Sequence, residues 1–176
     1  MSDLRIIVDH LKLDYSGVLD VKGLFRLINH WFSERGFQKK EDKNHEQNMP
    51  DGKYIEYEIS PWKKITDYNK YIFKIRILFE KLKKVEITKD KKPIKVDQGR
   101  VIINFDGYLE HDYGNRWDDK PLFIFFRTLF DKFINKAYTE RFEHRLTNDL
   151  HNLYNEIEKF LNTNRHYNVV SKTPHF

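Results

Sequence analysis

The sequence feature that most constrains the fold is a strict alternation of apolar and charged residues between positions 71 and 80. Apolar side chains occupy every odd position from Tyr71 to Phe79, whereas Lys74, Arg76 and Glu80 lie between them. A period of two predicts a β-strand with one buried face and one solvated face. Since such a strand needs both neighbouring strands and a covering layer, the chain is predicted to contain a sheet covered on one face.

Other segments supply the neighbouring strands. Residues 4–15 predict a first strand that ends at Ser16 and Gly17, and residues 37–48 predict an exposed, charged edge strand. The Met-Pro-Asp-Gly sequence at 49–52 favours a tight turn and therefore a hairpin. Strand character continues from Phe79 through position 87 to a turn near residues 89–92, and it returns over 94–105.

Two helical segments complete the predicted layer. Asp20 is a suitable N-cap for an amphipathic helix that ends at Gly36. A second helical pattern runs from about residue 118 to residue 161, which as a straight rod would span roughly 63 Å. Its apolar stripe changes direction between Asn135 and Arg141, so a kink is predicted there.

These segments predict an α+β fold. An antiparallel sheet of about five strands has one face covered by an N-terminal helix and a long, kinked C-terminal helix. Residues 1–162 are predicted to form a single domain, and residues 163–176 a flexible C-terminal tail.

Composition excludes several classes of protein. The chain has no cysteine, which excludes disulfides, cysteine-bound zinc and iron–sulfur clusters. Its seven glycines form no phosphate-binding loop, and no cofactor is predicted. The longest apolar run has five residues and the first nine residues lack a signal-peptide pattern, so we expect a cytoplasmic protein without a transmembrane segment.

Two polar clusters have residue types found in catalytic or metal sites, but neither is predicted to be one. His111 and the residues after it combine carboxylates and aromatic rings, but no Ser or Thr nucleophile lies nearby in the sequence and no second acidic group at a fixed spacing completes a known pattern. Glu140 and His144, four residues apart, have the spacing of metal ligands on a helix. The second histidine of that face, His151, has no such partner, because the residue four positions after it is Asn155 and not a carboxylate. No catalytic residue and no metal ligand is therefore predicted.

The basic charge is concentrated in one segment. Residues 61–100 carry 13 basic and 5 acidic side chains, a balance of +8, against −2 for residues 1–60 and −1 for residues 101–176. Such an excess predicts either a solvated, lysine-rich sheet edge or a binding surface for a polyanion. The predicted binding residues are Lys63, Lys64, Lys81, Lys83, Lys84, Lys91, Lys92 and Arg100, with Trp62 and Tyr68 as stacking surfaces.

Three functions remain open from the sequence. The first is a non-catalytic protein that binds RNA, a ribonucleoprotein or an acidic protein through the basic segment. The second is a helix-grip-like carrier of an apolar small molecule or lipid, with a cavity lined by Phe73, Ile75, Phe126 and Phe130. The third is an assembly protein that forms a homo-oligomer through the long helix.

Four stretches of the chain resemble small archaeal proteins of unknown function. They are residues 11–17 (LKLDYSG), 61–68 (PWKKITDY), 106–109 (DGYL) and 126–132 (FRTLFDK). The resemblance covers residues 4 to about 165. It implies an archaeal source and no particular activity.

Overall fold

The chain forms an antiparallel sheet with two helices. The computed structural model describes residues 3–66, 69–89, 92–111 and 136–163. In chain order these residues form β1 (Asp3–Leu19), α1 (Val21–Glu34), β2 (Glu41–Met49), β3 (Gly52–Ile59), β4 (Trp62–Lys64), β5 (Asn69–Lys89), β6 (Lys92–His111) and α2 (Lys136–Thr163). The strand order is β1-β6-β5-β3-β2, and β4 pairs with β5. The predicted α+β class with an antiparallel sheet is confirmed.

The longest pairing joins β5 and β6. Their register extends from Asn69 opposite His111 to Lys89 opposite Lys92. The alternation at 71–79 and the apolar residues near 87, 94 and 105 thus belong to one long hairpin, as predicted. The second predicted hairpin is also present, because Met49 lies opposite Gly52, and all nine residues of β2 are exposed.

The described residues contain six strands where about five were predicted. The additional strand is β4, in a segment where no strand was predicted, and its Lys63 lies opposite Tyr71. The end of the first strand was also predicted wrongly. Instead of stopping at Ser16, β1 continues to Leu19, because Gly17 stays in register opposite Gly99 of β6.

Helix α1 begins and ends where the sequence predicted. The Asp20 carboxylate accepts a hydrogen bond of 2.8 Å from the backbone N–H of Gly23, which caps the first turn. At the other end Gly36 has φ of +71°, a left-handed conformation that glycine adopts without strain. The N–H of Phe37 donates to the carbonyl of Phe32 at 3.0 Å and closes the helix.

Both helices contact the apolar face of the sheet. The ring of Phe73 in β5 lies 5.8 Å from that of Phe32 in α1. The hydroxyl of Tyr71, two residues earlier on the same face, donates to the carbonyl of Phe142 in α2 at 2.8 Å. Burial raises the pKa of this tyrosine and keeps its hydroxyl protonated as a donor.

The predicted kink and tail stay predictions. Helix α2 is continuous from Lys136 to Thr163, while Asn135 and the residues 118–134 lie outside the described residues. Residues 164–176 also lie outside them, so the division into one domain and a tail is not tested. Neither described helix is both long and apolar enough to cross a membrane.

Helix α2 packs directly over a glycine of the sheet. A Cβ atom placed on Gly107 would lie 2.5 Å from Cδ2 of Leu146, whose side chain is fully buried. We predict that Gly107→Ala lowers the free energy of unfolding by about 1–3 kcal/mol, because the leucine must move within a filled core. Urea unfolding at equilibrium measures this loss.

A double-mutant cycle isolates the steric cause. Since Leu146→Ala removes the clashing atom, the double variant with Gly107→Ala should lose less stability than the two single variants together. Gly36→Ala serves as the control, because its new Cβ meets nothing within 4 Å. Leu146→Ala should therefore not reduce the stability loss that Gly36→Ala causes. Additive losses for Gly107→Ala and Leu146→Ala would contradict the proposed contact.

Candidate nucleic-acid interface

The far end of the β5–β6 hairpin extends beyond its neighbouring strands. The ladder between β3 and β5 ends at Leu82, and the ladder between β1 and β6 ends at Asp97. Residues 83–89 and 92–96 therefore form a two-stranded ribbon, which we call the arm, within the part of the sheet that is described. At about 3.3 Å per residue, the seven residues 83–89 extend about 20 Å.

A bulge at the base of the arm reverses the faces of its side chains. The β5–β6 register shifts between positions 80 and 83, and Lys81 has φ of +54°. Two β5 residues oppose one β6 residue there, so the alternation moves by one position. As a result Val85 and Ile87 lie on the sheet face opposite to that of Phe79.

The two faces of the arm differ in polarity. On one face Val85 lies opposite Val96 and Ile87 lies opposite Ile94. On the other face Lys84 forms an ion pair of 2.7 Å with Asp97, and Glu86 lies opposite Lys95. Lys83 and Lys95 are both exposed, and neither forms an ion pair within the described residues.

Arg100 lies at the base of the arm and is engaged by two carboxylates. Its guanidinium donates to both oxygens of Asp14, at 2.9 and 2.6 Å, and to Glu80 at 3.3 Å. The hydrogen bond from Arg100 lowers the pKa of Asp14, and the same pairing raises the pKa of Arg100. Lys81 lies 3.6 Å from Asp51 but is largely exposed.

The predicted residues of β4 lie far from the arm. The ammonium group of Lys63 donates to the carbonyl of Arg35 at 2.6 Å, so it faces the body of the protein. Lys64 is exposed, and Trp62 is half-buried with the ammonium of Lys70 5.4 Å from its ring. Trp62 lies opposite Ile72, which places β4 about 35 Å along β5 from the arm.

The ten predicted binding residues therefore do not form one surface in the described structure. One group lies on β4 and the other on the arm and its base. Tyr68 and Lys91 are outside the described residues, and of Lys92 only the backbone, within β6, is described.

The solvated face of the sheet between these groups is balanced in charge. Ion pairs join neighbouring strands across it: Lys43 with Glu56, Lys74 with Glu58, Arg76 with Asp106, and Lys70 with Glu110, at 2.6–2.8 Å. Because each of these cations has a carboxylate partner, this face offers little free positive charge to a polyanion.

The sequence did not predict a polar cluster around Asp106. This side chain is 2% exposed although it belongs to the solvated face. It accepts a hydrogen bond of 2.8 Å from the backbone N–H of His10 and one of 2.6 Å from Arg76. His10 lies in a bulge of β1 with φ of +53°, and its ring contacts the carboxylate of Asp9.

The ligand-type atoms of Asp9, His10 and Asp106 lie within 4.8 Å of one another. Two carboxylates and an imidazole are donors that divalent metals accept. Here, however, both oxygens of Asp106 already accept hydrogen bonds, one from the bulged backbone and one from a cation. The cluster is best explained by a structural role, in which Asp106 holds the β1 bulge against β6. The sequence signal was weak, since Asp106 occupies a position that alternation assigns to solvent.

Of the residues predicted for the other two functions, those that the structure describes lie in the core. Phe73 and Ile75 are fully buried, and the ring of Phe73 is stacked on that of Phe37 at 5.1 Å. Phe126 and Phe130 are outside the described residues. The apolar stripe of α2 is buried from Phe142 to Leu161 in the same hydrophobic cluster. His111 is buried too, with Nδ1 2.5 Å from Oδ1 of Asn69.

Comparison with known proteins adds no relative. No family model matches the chain, and neither a curated protein nor a solved structure matches it. The resemblance to small archaeal proteins stays a prediction, as does the cytoplasmic location.

The hydrogen bonds that Asp106 accepts lead to a prediction about stability. Asp106→Asn replaces one acceptor oxygen by a donor that faces either His10 N–H or Arg76, so we expect a loss of about 2–4 kcal/mol in the free energy of unfolding. Thermal and urea unfolding measure this loss. His10→Gly is the matched control, because glycine keeps the donating N–H and adopts positive φ freely, and it should unfold no more easily than the wild type. Equal losses of unfolding free energy in both variants would contradict this structural role of Asp106.

The charge at Asp149 predicts a pH dependence. Burial raises the pKa of this carboxyl group, although Arg35, Lys63 and Arg145 act in the opposite direction. The folded state therefore binds this proton more tightly than the unfolded state, and the protein loses stability as the pH rises through the unfolded pKa towards the folded one. The stability of Asp149→Asn relative to the wild type should increase between about pH 3 and about pH 6 in thermal unfolding.

Asp42 supplies a control of opposite sign. A hydrogen bond from Ser60 lowers the pKa of Asp42, so its ionised form stabilises the fold above the unfolded pKa and this contribution is lost as the pH falls. Asp42→Asn should therefore become less stable relative to the wild type over the same rise in pH. If the stability of both variants relative to the wild type changed in the same direction as the pH rises, the role given to Asp149 would be wrong.

Proposed function

We propose that the protein binds RNA through the arm and its base, by contacts with the phosphate backbone. The observation that carries the proposal is the charge of this ribbon. The arm, residues 83–89 and 92–96, contains five lysines and one carboxylate, a balance of +4, and it extends beyond the neighbouring strands of the sheet. Positive charge on a ribbon that extends past the neighbouring strands can attract a polyanion.

The composition of the arm supports backbone contacts over base recognition. Residues 81–97 contain no aromatic side chain on which a base could stack. Lysine is a flexible point charge, suited to phosphate and poorly suited to planar hydrogen-bonding patterns. We therefore expect binding that depends weakly on sequence and strongly on salt.

The proposal narrows the predicted binding surface. Exposed Lys83 and Lys95 are assigned to phosphate contact, and Lys81, near Asp51, assists at the base. Lys84 and Arg100 are less available because carboxylates engage them. Lys63, Lys64 and Trp62 belong to the distant β4 group and are not assigned to this contact. An acidic protein is the alternative partner, whereas the apolar-ligand carrier and the homo-oligomer stay predictions.

The salt dependence of RNA binding tests the proposal. Fluorescence anisotropy with a labelled polyuridine of about 20 nucleotides gives the affinity of the intact protein at several salt concentrations. Lys83→Gln with Lys95→Gln should lower the slope of log affinity against log salt by about 1.4, since each phosphate contact on a single strand contributes about 0.7.

A matched variant controls for net charge. Lys22→Gln with Lys159→Gln removes the same charge from exposed positions on α1 and α2 and should leave the slope unchanged. Equal slopes for both double variants would contradict the arm as the binding surface. Tighter binding of labelled polyglutamate than of polyuridine at the same salt concentration would instead favour the acidic-protein partner and reject RNA.

A further inference from the structure

The turn that joins β2 to β3 lies against the bulge at the base of the arm. Lys53 of β3 lies opposite Leu82 of β5, and the register between these two strands shifts directly after this pair. Gly52 approaches the bulge so closely that a Cβ atom placed on it would lie 2.7 Å from the carbonyl carbon of Lys81. The residues that follow Gly52 in β3 are therefore held beside the base of the arm.

Tyr54 contributes an aromatic side chain to the solvated face of the sheet at this point. Tyr57, three residues later, is buried, and its ring packs edge-on against Phe25 of α1 with centroids 5.0 Å apart. Alternation therefore assigns Tyr54 to the opposite face, which also carries the ion pair of Glu56 with Lys43. Tyr54 is half-buried, so part of its surface remains in contact with solvent.

Lys83, the first residue of the arm, lies on the same face as Tyr54. Leu82 is buried in the core, so the next residue along the strand belongs to the solvated face, where Lys83 lies opposite Gln98. Tyr54 and Lys83 are diagonal neighbours on adjacent strands, which places their Cα atoms about 7–8 Å apart, a separation that aromatic and long side chains can span. An aromatic ring and a flexible cation are thus neighbours at the base of the arm.

The charges around this pair leave one cation available to a phosphate. Glu80 pairs with Arg100 at 3.3 Å, and Asp51 lies 3.6 Å from the ammonium group of Lys81. Each of these carboxylates therefore has a cationic partner. Lys83, in contrast, is exposed and forms no ion pair within the described residues. The balance favours an anionic group next to the ring.

We propose that Tyr54 stacks on an unpaired base of the RNA whose phosphates contact the arm. The inference rests on the RNA function proposed above, and it names single-stranded RNA as the substrate class. Lys83 contacts the phosphate of the nucleotide whose base covers the ring of Tyr54. A base inside a duplex is stacked on its neighbours, so this contact requires an unpaired nucleotide. Because every base has an aromatic face, the contact tolerates any sequence.

A probe without bases tests the stacking contact. Fluorescence anisotropy compares labelled polyuridine of about 20 nucleotides with an abasic sugar–phosphate strand of the same length and charge. The wild type should bind polyuridine at least about fivefold more tightly than the abasic strand. Tyr54→Leu should lose most of this preference, whereas Tyr54→Phe keeps the ring and should keep it. Equal affinity of the wild type for both strands would overturn the proposal.

Tyr108→Leu is the matched control. Tyr108 is also half-buried on the solvated face, but it lies about 33 Å along β6 from Gln98, at about 3.3 Å per residue. This variant should bind polyuridine as tightly as the wild type, and thermal unfolding checks that all three tyrosine variants are folded. If Tyr54→Leu weakened binding of the abasic strand as much as binding of polyuridine, Tyr54 would act on the shape of the arm and the stacking contact would be wrong.

The salt dependence separates failure of this contact from failure of the RNA function. Tyr54→Leu should leave the slope of log affinity against log salt unchanged, since stacking releases no counterion. If the wild type binds polyuridine with the expected slope and Tyr54→Leu binds it equally well, only the stacking contact is refuted. If the wild type does not bind polyuridine, or if Lys83→Gln with Lys95→Gln leaves the slope unchanged, both proposals are refuted.

Discussion

Pairing between β5 and β6 is the constraint on which the other contacts depend. The two strands remain in antiparallel register from the Asn69–His111 pair to the Lys89–Lys92 pair, with one bulge. Since residues directly opposite each other share a face, the pairing joins the apolar residues of both strands into one surface, on which α1 and α2 pack. The same pairing joins the charged residues into the other face, where cross-strand ion pairs form.

Local signals were sufficient for much of this fold. The alternation at 71–79, the Asp20 and Gly36 caps and the turn at 49–52 each depend on a few adjacent residues, and each was predicted correctly. Strand β4 was missed because three residues carry too little pattern, and its pairing depends on β5. The bulges near His10 and Lys81 were missed for the same physical reason, since a bulge is defined by the partner strand and not by the strand itself.

The candidate site was harder to predict than the fold. The net charge of residues 61–100 counts every basic side chain as unpaired. In the structure, several of these side chains pair with carboxylates from distant parts of the chain. Arg100 pairs with Asp14, 86 positions away, and Arg76 pairs with Asp106, 30 positions away. Such pairs arise only from the strand order, in which β1 lies beside β6. The arm is the part of the predicted basic surface that remains. Most of the arm lies beyond the strands that supply these carboxylates.

Arg100 shows why the base of the arm offers less free positive charge than the sequence suggests. It lies where the arm begins, yet its donors are directed at Asp14 and at Glu80. If Arg100 turned to a phosphate, Asp14 would keep only the longer ion pair with Lys12, at 3.8 Å, and the loss of the closer partner would oppose that movement. The ion pair between β1 and β6 therefore leaves phosphate contact to exposed lysines of the arm such as Lys83 and Lys95.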